Sequence, residues 1–188
     1  MISKEIMEKN FSLYTKKLAQ IGVNVDKLTE LYGDKIMKAS FTNSNEFDNA
    51  YEGSLLEIIL KVLTPYAVKL NELLPEEQRV DKDTLVKVCL LHQIAKAIKF
   101  IQNDNQWEVE KRQLVYKYDG SLPSIRTGLF SVSMLQECDI KLTAQEIEAL
   151  TINDRDLTDD QSRWHSSVMA TIIRQANELT YIQINKKK

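Results

Sequence analysis

Apolar positions recur at helical spacing along most of the chain. Met7, Phe11, Tyr14, Leu18 and Ile21 follow one another at intervals of three and four residues, which predicts an amphipathic helix. The same periodicity predicts further helices, at about 26–32, 55–74, 85–101, 127–137, 144–150 and 162–181. Only five glycines and three prolines interrupt the chain, and this scarcity favours long helices over many short strands. We therefore predict an all-α bundle.

Two local signals refine this prediction. Residues 107–110 and 114–118 alternate in character and contain aromatic and β-branched side chains, so they predict a small β-hairpin inserted among the helices. Thr143 and Glu146 have the spacing of a capping box, in which each side chain satisfies a free backbone donor at a helix start. We divide the chain into an N-terminal amphipathic helix, residues 1–24, and a helical domain, residues 25–188.

Composition and charge limit the classes of function. A chain of 188 residues with 43% hydrophobic and 28% charged residues is typical of one soluble globular domain. Its net charge of -2 gives no reason to expect nucleic acid as a partner, and no apolar run is long enough to cross a membrane. Cys89 and Cys138 match neither a metal-binding spacing nor a disulfide framework, which indicates a reducing compartment.

One segment resembles the hallmark of a known family. Residues 90–96 read Leu-Leu-His-Gln-Ile-Ala-Lys, which is similar to the Leu-Leu-His-Asp-Ile-Gly-Lys pattern of HD-domain metal-dependent phosphohydrolases. Residues 50–57 resemble the segment that leads into that family's first histidine, and a Leu-Pro loop at 122–123 and a helix start at 141–143 follow in the family's order. The resemblance covers about residues 25–182 and implies the fold of the compact HD proteins of bacteria and their phages.

The resemblance also places the metal-ligand positions of that family, and these have lost their usual side chains. The His-Asp pair reads His92-Gln93, and an amide is a poor substitute for a bridging carboxylate. The remaining ligand and substrate positions correspond to Asp48, Ile58, Arg126, Asn153 and Asn177. We therefore expect no catalytic residue, no bound metal and no other cofactor. We also expect the side chains of Gln93 and Asn177 to be in contact, directly or through one water.

The first function that we predict is that of a catalytically inactive structural or assembly component. Its partners would be other protein subunits, and given the resemblance it would be made in bacterial cytoplasm and could serve as a ring, connector or accessory protein of a phage virion. The candidate partner-binding residues are Met7, Phe11, Tyr14, Leu18 and Trp164. Alternatively, the stripe from residue 7 to residue 21 packs on its own domain, and Trp164 is an aromatic cap.

A second prediction is a regulatory protein that binds a nucleotide or phosphate without turnover. Arg126, Lys96 and Lys99 would then face one cleft, although Arg126 could instead pair with Asp119, and Lys96 could lie at the surface. The third prediction is an active phosphohydrolase with a displaced metal site.

Overall fold

The architecture is that of a helical bundle with one small sheet, which confirms the predicted fold class. A computed structural model describes residues 2–44, 49–154 and 166–185. The helices are α1 (Lys4–Gln20), α2 (Asp26–Lys38), α3 (Ser54–Ile58), α4 (Thr64–Glu72), α5 (Lys82–Leu91), α6 (Lys96–Lys99), α7 (Gln106–Arg112), α8 (Thr127–Glu137), α9 (Ala144–Thr151) and α10 (Val168–Ile184). Among these described helices, none is long and apolar enough to cross a membrane.

The apolar stripe of α1 faces the interior of its own domain. Tyr14 and Leu18 are completely buried in the core that the rest of the chain shares. Phe11 packs against Gly33 of α2, where a Cβ atom would lie 3.2 Å from the phenylalanine ring. Met7 is partly buried over Gly53. The prediction that this stripe binds a partner is therefore wrong for Tyr14 and Leu18, because neither side chain has surface to offer.

Residues 54–72 form one continuous helical run, as the sequence predicts, with an irregular centre. A π-helical turn, Ile59–Leu63, joins α3 to α4 immediately before Pro65. Proline cannot donate a backbone hydrogen bond, so a widened turn at this point absorbs the missing donor without ending the helix. Ile58, at the end of α3, is buried in the core.

The predicted helix 85–101 is interrupted in its middle. Helix α5 ends at Leu91, His92 is extended, and Gln93 has a left-handed backbone with φ of 61°. Ser131 of α8 accepts a hydrogen bond from the backbone N–H of Ala95 at 3.1 Å, which holds this break against α8. The chain then resumes as the single turn α6 and passes directly into a strand. Because of this break, His92, Gln93 and Lys96, which are close together in the sequence, all line the same cleft.

The hairpin is present, but one of its strands was assigned to the wrong residues. Strand β1 (Phe100–Gln102) pairs antiparallel with β2 (Tyr116–Tyr118), so that Phe100 lies opposite Tyr118. Residues 107–110, predicted as a strand, belong instead to α7. The Asn105 side chain accepts a hydrogen bond from the Glu108 N–H at 3.3 Å and caps this helix. The alternating pattern spans only four residues, too few to outweigh the helix cap at Asn105.

The capping box at the start of α9 is confirmed. The Thr143 hydroxyl accepts from the Glu146 N–H at 3.2 Å, and the Glu146 carboxylate accepts from the Thr143 N–H at 2.7 Å. The same carboxylate, which is nearly fully buried, lies 2.7 Å from the ammonium of Lys87 on α5. This ion pair ties α9 to the central helix.

Candidate functional site

A cleft of about 300 Å³ opens where six parts of the fold meet. Its walls are the loop after α2, the segment from the end of α5 into α6, the hairpin, the start of α8, the end of α9 with the turn 152–154, and α10. The polar side chains that line it are those of Thr42, Asn43, His92, Gln93, Lys96, Tyr118, Thr127, Asn153, Asp154, Asn177 and Tyr181. The volume lies at the lower end of the range for small-molecule pockets.

His92 is held as a neutral imidazole. Its Nε2 atom lies 3.0 Å from the Asn153 amide nitrogen and 3.1 Å from the Gln93 amide nitrogen. Amide nitrogens only donate, so Nε2 is the acceptor and the ring proton is on Nδ1. Burial and, to a smaller extent, the positive charge of Lys96 together lower the pKa of His92 to about 3. The imidazole therefore carries no charge near neutral pH.

The Gln93 side chain links His92 to Asn177, and its backbone is strained. A left-handed conformation costs a non-glycine residue roughly 1 kcal/mol or more, and such residues are frequent at functional sites. The Gln93 amide nitrogen donates both to His92 and to Asn177 Oδ1, at 3.0 Å from the latter. The predicted contact between Gln93 and Asn177 is thus present. The side-chain oxygen Oε1 of Gln93 is buried and has no hydrogen-bond partner in the described part of the chain.

Lys96 places a buried positive charge in the wall of the cleft. The residue is only 6% exposed, contrary to the surface position considered from the sequence. Its ammonium donates to the carbonyl oxygen of Phe41 at 2.7 Å and to the hydroxyl of Tyr181 at 3.0 Å, and it lies 4.1 Å from the centre of the Phe41 ring. Within residues 2–44, 49–154 and 166–185, no carboxylate forms an ion pair with it.

Thr42, which also belongs to the cleft lining, contributes a second unsatisfied group. Its hydroxyl is buried and lacks a hydrogen-bond partner in the ranges described. The carbonyl of Phe41 that receives the Lys96 hydrogen bond belongs to the peptide unit that joins Phe41 to Thr42.

The carboxylate of Asp154 lines the cleft and is hydrogen-bonded to the start of α8. The Asp154 carboxylate accepts from the N–H groups of Gly128 at 3.0 Å and Leu129 at 2.7 Å, so it neutralises the positive end of α8. A side chain at Gly128 would collide with the Leu150 carbonyl and with Asp154, which explains the glycine. Burial lowers the pKa of the nearby Lys99, and the charge of Asp154 partly offsets this.

Some of the predicted site residues lie together in the cleft wall, and others do not. His92, Gln93, Asn153 and Asn177 form one hydrogen-bonded group in the cleft wall. Ile58 was wrongly included, since it packs in the core and does not line the cleft.

The basic residues that were predicted to share the cleft separate as well. Lys96 lines it, whereas the Lys99 ammonium donates to the Ile125 carbonyl and lies near the Tyr118 and Phe130 rings. Arg126 is exposed at the residue before α8 and is not part of the wall. It makes no ion pair with Asp119, whose carboxylate accepts from Ser121. Two further predicted residues, Asp48 and Trp164, lie outside the described residues.

The donors that line the cleft do not match the metal cluster of HD enzymes. In the described part of the chain, no three histidine, cysteine, aspartate or glutamate side chains are grouped as metal ligands would be. The Nε2 atom of His92 is already engaged by two amides, and Gln93 and Asn177 offer neutral atoms where a metal cluster needs carboxylates. We therefore derive no chemical step through a metal.

Sequence reasoning did not identify Phe41, Thr42 or Asp154 as site residues. Phe41 and Thr42 belong to the polar loop after α2, and Asp154 belongs to the turn after α9. Neither segment has a periodic pattern, and only the tertiary fold brings them to Lys96 and α8. Comparisons of the chain with protein-family models, curated proteins and solved structures found no match.

Proposed function

We propose that this protein binds a small organic anion in the cleft around Lys96. The proposal develops the second function predicted from the sequence, since a negatively charged group is what nucleotides and phosphates share. It rests on one observation: the Lys96 ammonium is almost fully buried, lines the cleft, and has no carboxylate partner among the described residues. An isolated buried charge is costly, and an anionic ligand would supply its missing partner.

The surroundings of Lys96 support binding over a purely structural role. A structural lysine would use its hydrogen-bonding capacity within the protein, but Lys96 has two acceptors for three N–H donors. Three buried atoms of other residues that line the cleft, the Thr42 hydroxyl, His92 Nδ1 and Gln93 Oε1, also lack a hydrogen-bond partner among the described residues. Buried polar groups in native proteins nearly always have partners, so a cluster of unsatisfied ones beside a cleft favours a ligand that completes it.

We also infer from the resemblance to HD proteins that the amide group is the remnant of a metal site. The Gln93–Asn177 contact supports this, because it joins two positions that the resemblance assigns to metal ligands. On this proposal the neutral hydrogen bonds hold together a site in which carboxylates once shared a cation. Purified protein supplied with Mg²⁺ or Mn²⁺ should then release no product from a panel of nucleotides, and measurable hydrolysis would contradict this part of the proposal.

Anion binding is tested by titrating the protein with three aromatic probes of similar size. Benzoate and phenyl phosphate are anions, and benzamide is their neutral counterpart. Calorimetry or NMR should detect binding of the two anions and little binding of benzamide. In Lys96→Met the anion affinity should fall about tenfold or more, the usual size of a lost charged hydrogen bond.

The matched control is Lys69→Met, which removes the same charge from an exposed position on α4. It should keep the wild-type affinity, because general electrostatic attraction is not the cause that we propose. Equal binding of benzamide, or unchanged anion binding in Lys96→Met, would contradict the proposal.

The assembly role stays a prediction of its own. The burial of Tyr14 and Leu18 removes two of the five residues first suggested for it, and the described part of α1 leaves Ile6 and Leu13 exposed. Light scattering on the purified chain tests the role directly. A mass well above the 21.7 kDa monomer that does not depend on an anionic ligand would favour assembly as the main function.

A further inference from the structure

The cleft is lined by two groups of opposite charge. Among the described residues of its lining, the Lys96 ammonium and the Asp154 carboxylate carry charge near neutral pH, because His92 is held as a neutral imidazole. Lys96 begins α6 and Asp154 belongs to the turn after α9, so the two charges come from different walls. They form no ion pair with each other in this part of the chain. A ligand in the cleft therefore meets both a positive and a negative group.

Asp154 keeps part of its binding capacity although it is bound to α8. Its oxygens accept from the N–H groups of Gly128 at 3.0 Å and Leu129 at 2.7 Å. A carboxylate can accept about four hydrogen bonds, so about two acceptor positions remain. The residue is partly exposed, and no cation forms an ion pair with it in the described ranges. Its carboxylate can therefore accept from an N–H group of a ligand.

A ligand that carries only a negative charge fits these two groups incompletely. Its anionic group gains a partner in Lys96, as proposed above, but the Asp154 carboxylate repels it. The positive end of α8 offsets only about half an elementary charge, so Asp154 keeps a negative field. A cationic group on the same ligand would turn this repulsion into attraction.

We propose that the ligand is a small zwitterion, an amino acid or a related amino carboxylate, whose carboxylate binds Lys96 and whose ammonium group binds Asp154. The inference rests on the proposed anion binding and deepens it, since it adds a cationic group to the ligand and Asp154 to the binding residues. A volume of about 300 Å³, at the lower end of the range for small-molecule pockets, suits a molecule of this size.

Aromatic side chains on the hairpin side of the cleft suit a ligand with a flat apolar part. The rings of Phe100 and Tyr118 lie 5.1 Å apart, and Tyr118 is 58% exposed. The Lys96 ammonium lies 6.0 Å from the centre of the Phe100 ring, so a carboxylate bound to this ammonium would bring a phenyl ring within reach of Phe100. Probes with a phenyl ring are therefore suitable.

The test compares two zwitterions with matched anions that lack the ammonium group. L-Phenylalanine is paired with 3-phenylpropanoate, and 4-(aminomethyl)benzoate is paired with 4-(hydroxymethyl)benzoate. The two pairs differ in the separation of the charges, so they provide a short and a long bridge between Lys96 and Asp154. Calorimetry at pH 7 should show that at least one zwitterion binds about tenfold more tightly than its partner, the usual effect of one charged hydrogen bond.

Asp154→Asn tests which residue binds the ammonium group. The asparagine oxygen can still accept from α8, so the variant should remain folded. The advantage of the zwitterion over its paired anion should fall to about twofold or less, since only a neutral acceptor remains, while the anion binds no more weakly. A general loss of structure would instead weaken both probes. Asp34→Asn, on α2 and outside the cleft lining, should leave the ratio unchanged.

The outcomes separate the two proposals. If the anions bind and neither zwitterion binds more tightly than its partner, the inference is overturned while anion binding stands. If none of the four probes binds, the proposed function fails together with it. If Asp154→Asn keeps the full advantage of the zwitterion, the assignment of Asp154 is overturned. An advantage that is limited to one pair supports the inference and reports the separation of the two charges in the cleft.

Discussion

Two lysines that are close in the sequence, the partly buried Lys87 and the buried Lys96, are stabilised in opposite ways. Lys87, on α5, lies 2.7 Å from the Glu146 carboxylate and donates to the Lys141 carbonyl at 3.0 Å. Lys96, on α6, has a carbonyl, a hydroxyl and an aromatic face, but no carboxylate among the described residues. The same side chain thus occurs once with its charge balanced and once without.

The difference indicates which lysine stabilises the fold and which could bind a ligand. A balanced pair needs nothing further, and the Lys87–Glu146 pair is continuous with the capping box of α9, so it connects two helices. An unbalanced ammonium destabilises the empty protein and is retained more readily when a ligand completes it. Substitutions at the two positions should therefore separate stability from binding.

The largest effect should follow removal of the carboxylate from the balanced pair. Glu146→Ala leaves the Lys87 ammonium without a carboxylate and also breaks the capping box, so the free energy of unfolding should fall by about 3 kcal/mol or more. Urea denaturation measures the change. Glu72→Ala, at an exposed position of α4, should have little effect. A loss at Glu146 as small as that of the control would mean that the pair contributes nothing to stability.

Replacing each lysine by methionine compares the two sites directly. Lys87→Met strands a buried carboxylate and should lower the free energy of unfolding by about 2 kcal/mol. Lys96→Met removes a charge that has no carboxylate partner, which is stabilising, but it leaves the Phe41 carbonyl unsatisfied, which is destabilising. The two effects should nearly cancel, so the free energy of unfolding should change by no more than about 1 kcal/mol. Equal losses in the two variants would remove the distinction between the sites.

Acid should destabilise the cleft through His92. Burial holds the pKa of this histidine near about 3 in the folded protein, whereas an unfolded histidine has a pKa of about 6.5. Between these values only the unfolded chain takes up the proton, so the contribution to stability is present above pH 6.5 and is lost as the pH falls. The loss should be about 2 kcal/mol between pH 6.5 and pH 4.5.

Denaturation of wild type and His92→Gln across this range isolates the effect, because the other acid-sensitive groups are common to both proteins. The difference in stability between them should shrink as the pH falls. Parallel pH profiles would show that His92 is protonated in the folded state and would contradict the buried neutral imidazole.

Helical periodicity was enough to predict the bundle, but not the break that creates the cleft. Nothing in residues 85–101 marks an end at His92, since Gln93 has no special preference for a left-handed backbone. This conformation is held by two tertiary hydrogen bonds, which Gln93 donates to Asn177, 84 positions away, and Ala95 donates to Ser131, 36 positions away. Contacts of such separation leave no periodic signal.

The site itself was predicted only where residues resemble a familiar motif. The resemblance singled out His92, Gln93, Asn153 and Asn177, which the fold brings into one hydrogen-bonded group. It also singled out Ile58 and Arg126, which do not line the cleft. That Lys96 has no carboxylate partner among the described residues could not be predicted from the sequence, because it depends on where the fold places the carboxylates.

The smallest effect concerns Asp154, the carboxylate of the cleft lining that binds the first N–H groups of α8. Asp154→Asn retains an oxygen that can accept from one of the α8 N–H groups, but it loses the charged contact, so the free energy of unfolding should fall by only about 1 kcal/mol. The positive end of α8 would then act on the cleft, and benzoate affinity should rise a few-fold, by roughly the 1 kcal/mol typical of a helix terminus. Calorimetry on Asp154→Asn measures this gain, and Asp34→Asn, at an exposed position on α2, is the control for a general change in net charge. A weaker affinity in Asp154→Asn would show that the carboxylate organises the binding site, and it would contradict the expected gain.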